Sequence, residues 1–180
     1  MSIFRTIPTP RSLLALGAVL VISACARAPE APIDFGGLDP QRHFMAVQTA
    51  EEMRAQGQRV WCVPFARNLS GIEIRGNAET WWDKARGLYP QGKEPVVGSV
   101  MAFQSTRGMP MGHVAVVSDI VSEREIKVDH ANWHRNQVSL KMAVVDVSPR
   151  NDWSEVRLET QPNALGGVYP INGFIYPKGN

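Results

Sequence analysis

The sequence is poor in cysteine, in long apolar runs and in acid at its start. Cys25 and Cys62 are its two cysteines in 180 residues, too few for a fold stapled by several disulfides. The longest apolar run, residues 13–22, is about half the roughly 20 residues that a membrane-crossing helix needs. No internal repeat or low-complexity tract appears, and the length suits one domain with a short appendage. Residues 1–24 carry Arg5 and Arg11 but no Asp or Glu. Setting that segment aside leaves as many basic as acidic residues, 17 of each. The pI of about 8.7 therefore stems from the first residues. A domain near zero net charge exerts no long-range pull on phosphate backbones, so nucleic acid is not an expected partner. With 44% apolar and 20% charged residues, the chain as a whole has the composition of a soluble globular protein.

The first 24 residues have the three parts of an export signal. These are a basic start, a short apolar stretch (LLALGAVLVI), and small residues, Ser23 and Ala24, directly before Cys25. The ending Ile22-Ser23-Ala24-Cys25 resembles a bacterial lipobox. That resemblance implies removal of residues 1–24, a lipid-modified Cys25, and stable membrane anchoring through more than one acyl chain. Ala26 after the cysteine implies the periplasmic face of the outer membrane. Residues 25–40, with Pro29, Pro32, Pro40, Gly36 and Gly37, read as an extended tether. The domain proper is expected over 41–180.

Within that domain helices come first and strands follow. Helical patterns cover Gln41 to Gln58, with Phe44, Val47 and Met53 on the apolar face; a short stretch from Cys62 to Leu69; and Asn77 to Ala85, with Asn77 as N-cap. Strands are expected at 99–103, 113–120, 125–130, 142–147, 154–158 and 173–176. This order suggests an α+β fold in which N-terminal helices pack on an antiparallel β-sheet.

Three segments carry chemistry. In Trp61-Cys62-Val63-Pro64-Phe65, a thiol opens a helix, where the positive end of the helix dipole favours thiolate; the plainer reading is a buried apolar cysteine. In Gly112-His113-Val114-Ala115, an imidazole stands at the mouth of an apolar strand, placed either as a general base or as a structural histidine. In Asp129-His130-Ala131-Asn132-Trp133-His134, strand alternation puts His130 and Asn132 on one face and Asp129 on the other. His130 or Asn132 could then orient His113, while Asp129 suits a salt bridge or turn and His134 a solvated loop. Trp61, Trp82 and Trp133 are candidates for lining a substrate groove or for packing. Cys62, His113, His130 and His134 also have the atoms to bind zinc, but lack close ligand pairs.

Taken together, these pieces resemble the CHAP family, the cysteine- and histidine-dependent amidohydrolase/peptidase domains of papain-like fold. The likeness runs over roughly residues 58–135. It rests on Cys62-Val63-Pro64-Phe65-Ala66-Arg67, Gly76-Asn77-Ala78 with Trp82, Pro95 to Phe103, Gly112 to Val117 and His130-Ala131-Asn132-Trp133. It implies a nucleophilic Cys62, a base at His113, an oxyanion donor in the Cys62 N–H, and no cofactor or metal. One departure stands out: where such domains often carry Glu or Asp two residues before the Asn, this chain has His130. The third role thus falls to His130 or Asn132, or to Asp129 if a bulge shifts the strand. The implied substrate is peptidoglycan, cut at the muramoyl–L-alanine amide or within the stem peptide. An inactive envelope-binding domain and an amidase for small peptide or polyamine conjugates are the alternatives.

Overall fold

The computed structural model describes residues 37–178 together with Met1. The expected leader, Cys25 and the tether up to residue 36 lie outside the described residues. Helix α1 spans Pro40–Ala55. Asp39 starts it by accepting the N–H groups of Gln41 and Arg42 at 2.8 and 3.2 Å, and Pro40, with no N–H to satisfy, fits the first turn. Gly57, at φ 73°, ends it. Its buried face is made of Ala46 and Ala50, one turn apart and small enough for a close approach to the next helix. Phe44 is 64% exposed, contrary to the inward face read from the sequence, because the alanines take that position.

Helix α2, Cys62–Ser70, buries Phe65, Ala66 and Leu69 and stops at Gly71 in the left-handed conformation. A 3-10 turn, Ala78–Thr80, leads into α3, Trp81–Ala85. Asn77 makes no side-chain cap there; the Thr80 hydroxyl bonds the Asn77 carbonyl instead. Trp81 is fully buried and anchors this short segment to the core.

The strands are β1 (Gln91–Gly92), β2 (Val100–Phe103), β3 (Val114–Ser122), β4 (Glu125–Ala131), β5 (Val138–Asp146), β6 (Glu155–Gln161) and β7 (Ala164–Ile175). Neighbours pair antiparallel throughout, in the order β1-β7-β2-β3-β4-β5-β6, and β7 also pairs with β6. Strands β2 to β7 therefore close into a six-stranded, barrel-like antiparallel sheet. The helices-then-sheet expectation holds, with closure as the addition. The closing strand, β7, changes partner midway: residues through Pro170 pair with β6, and Ile171 onward with β2. Its first half carries Gly166, Gly167 and Pro170, which mask it as a strand.

Closure gives the sheet two buried faces. Inside lie Met101, Phe103, Ala115, Val117, Ile126, Val128, Val144, Leu158 and Phe174. Outside, Val100, Ala102, Val114, Val116 and Ala131 meet Phe65, Leu69 and Trp81 of the helical layer. Because alternate residues face opposite sides, His113 and His130 share the inner face with Ala115 and Val128, and Asp129 shares the outer face with Val116.

Candidate active site

The start of α2 sits against one end of the barrel. There a cleft of about 740 Å³ is lined by Trp61, Cys62, His113, Asn132, Trp133 and Tyr169, among others. Trp61 precedes the helix and offers no capping side chain, so the first N–H groups of α2 are left for other acceptors. Pro64 removes one of them. The N–H groups of Cys62, Val63 and the facing Val114 turn to the Cys62 sulfur and favour thiolate, but burial outweighs them and pushes the Cys62 thiol up. The resting group is therefore a neutral thiol, whereas helix position alone suggests thiolate.

His113 is held from both sides. Its carbonyl accepts the Phe103 N–H at 2.9 Å. Before it, Gly112 adopts φ 64°, and a Cβ there would lie 2.7 Å from the Glu79 nitrogen; only glycine allows this loop to pack on the 3-10 turn. His113 Nε2 meets His130 Nδ1 at 2.9 Å. Phe103 and Trp133 stand edge-on to the His113 ring at centroid distances of 5.5 and 5.1 Å. Trp133 also stacks on His130 at 5.7 Å and meets Tyr169 at 5.0 Å.

This apolar enclosure penalises the imidazolium. Burial lowers His113 to about 3. It also holds His130 well below the ordinary histidine value, with His113 and His134 nearby adding to the effect. In the unfolded chain both rings take a proton near pH 6.5. Their contribution to stability is thus fully present above about 6.5 and is lost as the pH falls from there toward 3. We expect the melting temperature to drop between pH 7 and pH 5, with His113 alone accounting for about 2 kcal/mol at pH 5. A melting temperature unchanged across that interval contradicts the enclosure.

The other residues singled out from the sequence divide. Asp129 points away from the cleft. It is fully buried and bonds His43 Nε2 of α1 at 2.9 Å, the Ser118 hydroxyl at 2.8 Å and the Lys141 N–H at 2.7 Å. The irregularity between β4 and β5 sets three residues of β4, Val128 to His130, against four of β5, Met142 to Ser139. The bulge is thus in β5, and the alternation of β4 survives. Asn132 departs from expectation. Strand β4 ends at Ala131, and Asn132 turns to φ 63°. Its side-chain oxygen accepts the Asn136 N–H at 2.9 Å. It lines the cleft but continues no strand face with His130, because asparagine tolerates the left-handed turn that breaks the alternation.

Trp61 and Trp133 line the cleft; Trp82 does not. Trp82 packs instead against the helical-layer core and over Gly173 of β7. His134 stands in the loop between β4 and β5, as the sequence suggested, and there lines the cleft. Among the described residues no three His, Cys, Asp or Glu side chains converge as a metal set, so the zinc alternative finds no assembled donors. Tyr169 and Phe103 complete the enclosure; the sequence marks Phe103 only as a strand residue, and Tyr169, from the first half of β7, not at all.

A family model matches part of the chain. Residues 53–132 match the CHAP domain. CHAP domains are a family of cell-wall amidases and peptidases, usually hydrolases, that act on peptidoglycan. The matched span opens before Cys62 and ends at Asn132, so it holds Cys62, His113 and His130 together. No curated protein and no solved structure matches the chain.

Proposed function

We propose that the domain is a papain-like cysteine amidase or peptidase that hydrolyses an amide bond of peptidoglycan. One observation carries the reading: a helix-borne thiol shares a cleft with an imidazole that is hydrogen-bonded at 2.9 Å to a second, buried imidazole. Both reacting groups rest neutral. As the substrate carbonyl enters, Cys62 Sγ attacks its carbon while His113 takes the thiol proton. His130 accepts a hydrogen bond from His113 and steadies the imidazolium that forms. The Cys62 N–H at the start of α2 leaves the sulfur and donates to the oxyanion. His113 then hands its proton to the leaving amine, and water, deprotonated by His113, releases the acyl group from sulfur.

The same reading extends to the envelope. Residues 1–24 act as the leader, lipid on Cys25 anchors the chain at the periplasmic face of the outer membrane, and the tether up to residue 36 carries the catalytic domain. The test is mass analysis of fragments released from purified peptidoglycan by protein lacking residues 1–25. We expect new termini at one class of amide, either muramoyl–L-alanine or a stem-peptide bond. Folded protein that releases no amide-cleaved fragment overturns the proposal.

A further inference from the structure

Behind the two imidazoles lies a third group. His130 Nε2 is 3.2 Å from the sulfur of Met142, and both side chains are buried. Among the described residues that sulfur is the partner of this nitrogen. A thioether has lone pairs and no hydrogen to give, so at this distance the nitrogen must carry the hydrogen; two facing lone pairs would repel. A neutral imidazole protonated on Nε2 has a bare Nδ1. The bare Nδ1 of His130 then requires a hydrogen on His113 Nε2, 2.9 Å away. That in turn leaves Nδ1 of His113 unprotonated, the form that can take a proton from a thiol.

The fold makes this contact deliberately. Met142 pairs with Val128, two residues from His130 on the same face of β4, and the extra residue of β5 falls between Met142 and Ser139, the partner of His130. Lys141, in the bulge, takes φ 54°, a costly conformation for a residue with a Cβ. It is held there from the outer face, by its N–H on Asp129 and its ammonium group on the Ser118 carbonyl at 2.6 Å. Asp129 thus braces the bulge of β5 next to Met142.

We propose that Met142 is a positioning residue that fixes the proton on His130 Nε2 and so sets the tautomer in which His113 can act as a base. The proposal rests on the hydrolase reading for its catalytic consequence and on geometry alone for the tautomer. In the opposite tautomer His130 donates from Nδ1, His113 holds its hydrogen on Nδ1, and the base is blocked. A single neutral hydrogen bond shifts such an equilibrium by roughly 3- to 10-fold.

The test uses nitrogen-15 histidine spectra of the full chain at neutral pH, alongside kinetics on peptidoglycan fragments. We expect Nε2 of both His113 and His130 to be of the protonated type and Nδ1 of both to be bare. Met142→Leu should give mixed tautomers and lower kcat roughly 3- to 10-fold at constant KM. Met142→Gln, whose carbonyl can accept, should restore both. A wild-type His130 protonated on Nδ1 overturns the proposal without any variant needing to fold, as does Met142→Leu with an unchanged spectrum. Because the spectrum requires no substrate, a protein that cuts no peptidoglycan but shows the expected tautomers would refute the hydrolase reading and leave this one standing.

Discussion

Replacing Cys62 with Ser should reduce amide hydrolysis at least about 10⁴-fold, to the level left by binding and oxyanion contacts alone. The oxygen of serine is a far poorer nucleophile when its base is an imidazole held as low as His113. Sulfur and oxygen differ little in size and Cys62 is only half-buried, so the melting temperature should stay within a few degrees of wild type. His113→Ala should be equally damaging to turnover, since it removes the proton acceptor. Activity within tenfold of wild type in a folded Cys62→Ser protein, measured as fragment release, means the thiol is not the nucleophile.

The second large effect separates His130 from Asp129. His130→Ala removes the acceptor that steadies the His113 imidazolium, and turnover should fall by roughly two or more orders of magnitude. It also empties a fully buried position under Trp133, so a stability loss of about 2–4 kcal/mol accompanies it. His130→Gln, which fills more of that space, separates the two contributions by melting temperature. Asp129→Ala should show the reverse balance. It strands His43, Ser118 and the Lys141 N–H and should cost roughly 3–5 kcal/mol. Turnover per folded molecule should fall no more than for Met142→Leu. Thermal melts and kcat on the same preparations decide the matter: an Asp129 variant that keeps its melting temperature and loses turnover a hundredfold would assign Asp129 to the reacting groups.

The sequence made some of this legible and hid the rest for identifiable reasons. Helix α2 could be read because Pro64 suits a first turn and Gly71 a stop, and that reading alone puts Cys62 at a helix start. Strands β3 and β4 could be read from their runs of Val and Ile, and alternation along β4 correctly separates His130 from Asp129. Alternation failed two residues later. Whether a strand continues through an asparagine depends on the turn that follows, here the bond from Asn136 to the Asn132 side chain. Phe44 misled because an apolar side chain on a helix counts as inward by pattern, while small alanines at 46 and 50 set the actual contact. The first half of β7 was hidden by two glycines and a proline, and with it went barrel closure and Tyr169. The charge state of Cys62 was hidden most deeply. Helix position argues for thiolate, burial argues against it, and burial is a property of the whole fold.

The central claim is that the amide is broken through an acyl group carried on Cys62 sulfur. The most direct measurement adds hydroxylamine to protein digesting purified peptidoglycan and determines the products by mass. A thioester intermediate can be intercepted by the added amine, so the account predicts acyl hydroxamate at the cut site, rising with hydroxylamine at the expense of free acid. Free acid as the sole product at every concentration, with cleavage proceeding at its normal rate, would contradict it.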